Sequence, residues 1–416
     1  MLTLTAEWNQ PVRGVAGATT HYLAVRVGAP ATPVSLAAVV LLDVSGSMDE
    51  RLDPAKDAVR TVWRALRPGD RLTVLTFASR VTSLVDGAEK GRTADSDVLA
   101  AIDTCAAGGV TLLGEALQAG VRALDALAVD GPRFLWVVTD GHPTGPDGRV
   151  LEDPTPVLSA SRRAATQGAV IGTLGLGDAR HWQASFLAAL ADAGRGSFCY
   201  APEPAGLAAE LEERVRSAQE VSAVAARLDL RAVAGVRLLS AVRVLPELLP
   251  LEAVDRLGSW SIPLGAVEPP VSAYVLEVAV AVPFGAAPGP YAVGSIGASA
   301  TVRGDVITAQ EAPLCLELAA GGDRRVHGRH RDAENLRIAR DIGYHGWLRA
   351  NESSPGAQAR LTGLMADAAR RSGNLDLAAR FEEDLAAFQQ AGALDTGRAA
   401  ESLVAARRSG RLLMAE

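Results

Sequence analysis

The chain is predicted to be an α/β domain inserted into a β-sandwich and followed by a helical domain. Three observations carry that prediction. From about residue 33 to residue 219, short apolar runs alternate with amphipathic helices, the pattern of a mostly parallel sheet covered on both faces. On either side, residues 2–28 and 222–318 hold Val-rich alternating runs separated by Pro and Gly, as antiparallel strands do. Beyond Gly321-Gly322 the periodicity becomes helical to the end.

The elements follow in order. Leu2–Trp8 and Tyr22–Val27 are extended runs that could not form a stable hairpin alone. They are therefore expected to complete a sandwich whose remainder lies at 220–320, with the α/β domain at 31–219 between the N-terminal segment 1–30 and that remainder. Inside the α/β domain the strand candidates are Leu36–Leu42, Arg71–Phe77, Arg133–Thr139 and Ala169–Leu174. Asp53-Pro54 marks a helix start, Ala55, Ala58, Val59, Val62, Trp63 and Leu66 line one helical face, and Pro68-Gly69 stops it. Further helices run from Leu113 to about Leu127 and from about Pro154 to Thr166. Val81–Val85 follows the second strand too closely for a helical crossover, so it returns antiparallel as an edge strand. In the sandwich, Ala226–Ala232, Val236–Val244, Ser272–Val282 and Ala298–Ile307 are read as strands. The helical domain at 325–416 shows Ser354-Pro355 as an N-cap with proline at the first helical position, and Leu375, Leu377, Ala378, Phe381, Leu385 and Phe388 as a second apolar face closed by Gly392.

At 416 residues and 48% hydrophobic, the chain has the apolar content to fill several cores. Its 41 basic and 48 acidic residues are mixed along the sequence, giving a net charge of −7 without the basic tract that nucleic acid would require. No apolar run approaches the roughly 20 residues needed to span a bilayer, and Met1 to Asn9 lack the basic start and apolar core of a secretory signal. Cys105, Cys199 and Cys315 are odd in number and far apart, which suits a reducing compartment, and all three are read as small core residues. The expected setting is cytoplasmic.

The chemistry concentrates at the strand ends. Val39-Val40-Leu41-Leu42 runs into Asp43-Val44-Ser45-Gly46-Ser47, Thr111 stands at the start of a helix, and Val137-Val138-Thr139 ends in Asp140-Gly141. Open α/β sheets place their ligand crevice at the C-terminal strand ends. Asp43, Ser45, Ser47, Thr111 and Asp140 offer five oxygen donors with no His or Cys, a set for a hard cation, Mg²⁺ above all, with Mn²⁺ or Ca²⁺ as alternatives.

With the Pro68-Gly69-Asp70-Arg71 turn, the Gly108-Gly109-Val110-Thr111 loop and Gly172-Thr173-Leu174-Gly175-Leu176-Gly177, these residues resemble a von Willebrand factor type A (VWA) domain over about residues 34–219. The resemblance implies a Rossmann-like sheet with one antiparallel edge strand and a complete metal-ion-dependent adhesion site. Ser45, Ser47 and Thr111 would be side-chain ligands, Asp43 and Asp140 would act directly or through water, and an Asp or Glu of a partner protein would take an open coordination position. Val110 departs from the family pattern, which commonly has a smaller residue there. The resemblance is to intracellular, prokaryote-like members, which often work beside AAA-type ATPases or signalling proteins.

The expected function is metal-dependent protein–protein interaction, not catalysis. No Gly-x-x-x-x-Gly-Lys-Ser/Thr loop or Gly-x-Ser-x-Gly elbow occurs, and Gly175-Leu176-Gly177-Asp178 reads as a strand-ending turn. Two readings stay open beside it: a metal-dependent hydrolase using His142 or Asp178 as base, and a scaffold whose site holds no ion. His327, His330 and His345 are read as having no metal role, and Tyr344 and Trp347 as packing residues.

Overall fold

The computed structural model describes residues 1–14, 17–30, 34–140, 142–145, 147–177, 184–201, 203–268, 271–319 and 331–414. Asp178, His327 and His330 lie outside them, as do Gly141 and Gly321-Gly322. The chain opens with β1 (Thr3–Trp8), β2 (Val12–Gly14) and β3 (Gly17–Gly28), and β1 pairs antiparallel with β3 from Thr3↔Gly28 to Trp8↔Leu23.

The α/β segment follows as β4 (Ala37–Asp43), a 3-10 turn (Gly46–Arg51), α1 (Leu52–Ala65), β5 (Arg71–Phe77), β6 (Val81–Glu89), α2 (Asp95–Asp103), α3 (Leu113–Ala126) and β7 (Arg133–Thr139). It continues with α4 (Thr155–Thr166), β8 (Ala169–Leu176), α5 (Ala184–Ala193), β9 (Arg195–Ala201) and α6 (Pro204–Glu220). Among the described residues these strands form one sheet in the order β6-β5-β4-β7-β8-β9. All neighbours are parallel except β6, which runs antiparallel to β5 at the edge. Every residue of β4 and β8 is buried, which is why these strands read as continuous apolar runs and not as alternating ones. Helix α1 starts just before Asp53-Pro54 because the 3-10 turn runs straight into it. Pro54 is harmless there, since the first N–H groups of a helix have no intrahelical acceptor.

After α6 come β10 (Ala223–Ala232), β11 (Val236–Leu245), β12 (Leu249–Leu251), β13 (Val254–Asp255), β14 (Ser259–Val267), β15 (Ser272–Val282), β16 (Gly289–Val302), β17 (Asp305–Thr308) and β18 (Ala312–Ala319). Among the described residues they make two sheets with the N-terminal strands, β1-β3-β15-β11-β12 and β13-β14-β10-β16-β18-β2, with β17 paired to β16. The first 28 residues thus supply strands to both sheets, and in sequence the α/β segment separates these strands from the ones that follow α6. The run Ala298–Ile307, expected as one strand, is two. Arg303 and Gly304 both take positive φ (50° and 83°), so the chain reverses in a tight turn and β17 pairs back on β16. Cys315 corrects another expectation: on β18 burial alternates, Leu314 and Leu316 face in, and Cys315 is exposed, whereas Cys105 and Cys199 are buried.

The remaining elements are α7 (Arg331–Ala350), α8 (Pro355–Ser372), α9 (Leu375–Ala391), α10 (Thr396–Arg407) and α11 (Ser409–Met414). Gly373 and Gly392 end α8 and α9 in the left-handed conformation (φ 89° and 74°), and Asn374 caps α9 by accepting from Leu377 N at 2.9 Å. Leu336, Ile342, Met365 and Phe381 share one buried cluster with Ala24, Val244, Ala273 and Val275 of the β1-β3-β15-β11-β12 sheet. The C-terminal helical region therefore shares a core with that sheet. Two compact units result: Met1–Pro30, Ala225–Leu394 and Ala405–Glu416 in one, Ala31–Val224 and Asp395–Val404 in the other.

Candidate metal-binding site

Parallel pairing of β4 with β7, in the register Leu42↔Val138, brings the two strand ends level. Asp43 ends β4, Thr139 ends β7 and Asp140 follows directly. Just beyond β4 the chain turns at Ser45 into the 3-10 turn, with Ser45 N donating to Asp43 Oδ1 at 2.8 Å. Ser47 Oγ donates to Asp140 Oδ1 at 2.7 Å. That uses its one hydroxyl proton, so across the 3.1 Å between Ser45 Oγ and Ser47 Oγ it is Ser45 that donates. Four of the five candidate donors thus form one continuous chain of polar contacts.

Thr111 reaches the same sheet end through its backbone. Gly108 N donates to Val44 O at 2.8 Å and Gly46 N to Gly109 O at 3.1 Å, stitching the threonine loop to the Asp-x-Ser-x-Ser loop. Gly109 has φ +88°, and a Cβ there would stand 2.5 Å from Ser79 Oγ, so only glycine fits. Thr111 and Thr144 then fix each other, Thr111 N donating to Thr144 Oγ1 and Thr144 N to Thr111 O, both at 2.9 Å. Thr111 precedes α3 by two residues and is buried. The contact chain through the other four donors does not pass through it.

Two further residues belong to the site that sequence reasoning did not single out. Thr139 Oγ1 donates to Asp43 Oδ2, and Arg51 Nη1 donates to Asp140 Oδ2 at 2.9 Å and to Ser47 O at 3.3 Å. Thr139 was signalled only by its place before Asp140, and Arg51 by its spacing of four from Ser47. Asp43 and Asp140 are wholly buried, while Ser47 is exposed, so the site opens at Ser47. Burial pushes the Asp43 carboxyl up to about 6; hydrogen bonds from Thr139 and Ser45 pull against that shift, and the charge of Asp140 adds to it. His142 is half-buried with its Nδ1 unpartnered among the described residues, two positions past Asp140.

Residues 38–213 match the family model of the von Willebrand factor type A domain. This segment is a VWA domain. Proteins of this family generally mediate protein–protein interactions. A curated protein of Nocardia farcinica, described as a UPF0353 protein, is 28% identical over 152 residues, 33% of this chain and 44% of that protein. The chain therefore spans less than half the length of that relative. Two solved structures match almost end to end. The von Willebrand factor type A structure from Catenulispora acidiphila has a TM-score of 0.76 at 19% identity, covering 98% of this chain and 96% of that one. The ArnB paralog VWA2 from Sulfolobus acidocaldarius has 0.62 at 18%, covering 98% and 99%. At such identities the likeness is one of fold, and it extends over the strands and helices flanking the VWA domain.

The donor set of the VWA domain suits a hard divalent cation. Among the described residues no group of three or more His, Cys, Asp or Glu side chains is arranged to hold a metal, and the candidate donors are hydroxyl oxygens beside one carboxylate pair. That is what Asp43, Ser45, Ser47 and Asp140 present. Burial raises the Asp43 carboxyl, and a divalent ion beside it would favour the charged form. No helix among the described residues is long and apolar enough to cross a membrane.

Proposed function

We propose that the VWA domain binds a protein partner through a divalent cation, Mg²⁺ first and Mn²⁺ or Ca²⁺ as alternatives, held by Asp43, Ser45, Ser47, Thr111 and Asp140. The observation that carries this reading is the burial of two carboxylates, Asp43 and Asp140, in one chain of contacts that surfaces at an exposed serine hydroxyl. A bound ion supplies an electrophilic position at that opening, where an Asp or Glu of the partner can complete the coordination shell. Thr139 and the Ser45 amide orient Asp43, and Ser47 orients Asp140. Where the carboxylates act through water and neutral hydroxyls are the direct donors, the ion's charge stays incompletely neutralised, which favours an acidic partner group.

The proposed setting is cytoplasmic, as for the intracellular, prokaryote-like VWA proteins that this chain resembles. An AAA-type ATPase or a signalling protein is the partner class that goes with it. The proposed role is binding and not catalysis. Affinity capture from native lysate, run in Mg²⁺ and again in EDTA, tests both points. A partner retained in Mg²⁺ and lost in EDTA and in Asp43→Ala supports the reading, and equal capture under all conditions sinks it. Ester or peptide hydrolysis with Mg²⁺ or Mn²⁺ that disappears in Asp140→Ala would instead favour a hydrolase.

A further inference from the structure

We infer that Arg51 is a built-in competitor of the divalent ion, a resident counter-charge that must release Asp140 before the ion can load. The inference deepens the proposed function, because it concerns how the same site is regulated. One nitrogen, Arg51 Nη1, touches both Asp140 Oδ2 at 2.9 Å and Ser47 O at 3.3 Å. The other oxygen of Asp140 accepts from Ser47 Oγ at 2.7 Å. Both oxygens of the buried carboxylate are therefore engaged by groups that point hydrogens at it. An ion can still use the second lone pair of each oxygen, but it meets the positive charge seated beside Oδ2, so loading requires the guanidinium to give way.

The seat of the guanidinium is built, not incidental. Arg51 closes the 3-10 turn, four residues after Ser47, and its side chain lies against Gly177, directly after β8. A Cβ at Gly177 would stand 2.3 Å from Arg51 Nε. The 3-10 turn, the end of β7 and the end of β8 each supply one wall. The arginine side chain keeps 21% of its surface exposed while Asp140 has none, so the pair is partly desolvated yet the arginine has a way out to solvent. A divalent ion and a guanidinium on one carboxylate repel each other, so each weakens the binding of the other. Linkage makes the effect reciprocal: what favours the ion releases Arg51, and what holds Arg51 in its seat keeps the ion out. The arrangement sets a threshold of ion concentration below which the site stays closed.

The test is calorimetric titration of the full chain with Mn²⁺ and with Mg²⁺, alongside thermal melts in EDTA. Arg51→Ala is expected to bind the ion about tenfold more tightly than the wild type, a shift within the usual range for coupled equilibria, and to melt at a lower temperature in EDTA because Asp140 loses its counter-charge. If the wild type binds the ion and Arg51→Ala binds it equally or more weakly, the competition is wrong while the metal site stands. If neither protein binds an ion, the metal site and the competition fall together. Should Arg51→Ala not fold, Arg51→Gln removes the charge while keeping most of the side chain. Tighter ion binding in that variant supports the inference, and unchanged or weaker binding overturns it.

Discussion

Thr139 Oγ1 donates a hydrogen bond to Asp43 Oδ2 at 2.5 Å, from the last residue of β7 to the last residue of β4. The contact ties the two strand ends that carry the site's carboxylates, and it does so with a residue that is itself no candidate ligand. Thr139→Val removes the hydroxyl at nearly constant volume. A hydrogen bond to a charged group contributes about 1.5 to 3 kcal/mol, so divalent-ion affinity is expected to fall by about tenfold or more. Calorimetry of Thr139→Val and of Thr139→Ser, which keeps the hydroxyl, measures this. Equal affinity in both variants would remove Thr139 from the positioning of the site.

What could be read from the sequence follows the burial of each element. Strands β4, β5, β7 and β8 stood out because central parallel strands bury both faces and so appear as unbroken apolar runs. Strand β9 did not, because Arg195-Gly196-Ser197-Phe198-Cys199-Tyr200 has neither a run nor a clean alternation, and its place is set by pairing with β8. The turn at Arg303-Gly304 was hidden because an arginine at positive φ gives no sequence signal. The five proposed donors were legible as oxygen-bearing residues at strand and helix ends. Thr139 and Arg51 were not, since their part depends on which side chains meet across β4, β7 and β8, and spacing does not encode that.

At the opposite end of the VWA sheet, Asp70 is almost wholly buried and accepts three hydrogen bonds, from Leu36 N, Arg67 N and Gln219 Nε2, each at 2.8 Å. It joins the starts of β4 and β5 to the end of α6. Asp70→Ala strands these donors in a dry environment. The expected loss is about 3 kcal/mol of stability, read as a lower midpoint in chemical denaturation at unchanged slope, with Asp70→Asn losing less because its amide oxygen still accepts.

His21 on β3 is buried against Trp8, with ring centroids 5.9 Å apart and edge to face. Its Nδ1 lies 3.3 Å from Gln10 O and its Nε2 2.8 Å from Thr19 Oγ1; with the carbonyl accepting from Nδ1, Nε2 accepts from Thr19. Burial lowers its pKa below the ordinary 6.5, the bond to Gln10 O opposes that, and the charge of Arg13 adds to it. Because the folded value lies below the unfolded one, the stabilisation is fully present above about pH 6.5 and is lost as pH falls through the folded value. Melts at pH 7.5 and pH 5 should therefore show a drop in midpoint for the wild type. The drop should be smaller in His21→Gln, and smaller again when His345 is also replaced, since burial lowers that group too.

Arg349 on α7 reaches two other helices with one nitrogen: Nη1 donates to Thr362 Oγ1 of α8 at 3.3 Å and stands 3.6 Å from Asp384 Oδ2 of α9. The guanidinium and the carboxylate are both buried, and burial lowers the arginine pKa while Asp384 pulls it back up. A pair this dry attracts strongly but has lost its hydration, and the two effects largely offset. Removing one member breaks that balance. Asp384→Ala leaves a buried cation without its carboxylate and is expected to cost about 3 to 5 kcal/mol. The double variant Arg349→Met with Asp384→Leu, of similar volume and no charge, is expected to recover most of that loss. Urea denaturation of both variants distinguishes the two possible roles of the pair. Recovery would mean that the pair fixes which helix faces meet without adding net stability. A double variant as unstable as Asp384→Ala would mean that the pair itself stabilises the three-helix contact.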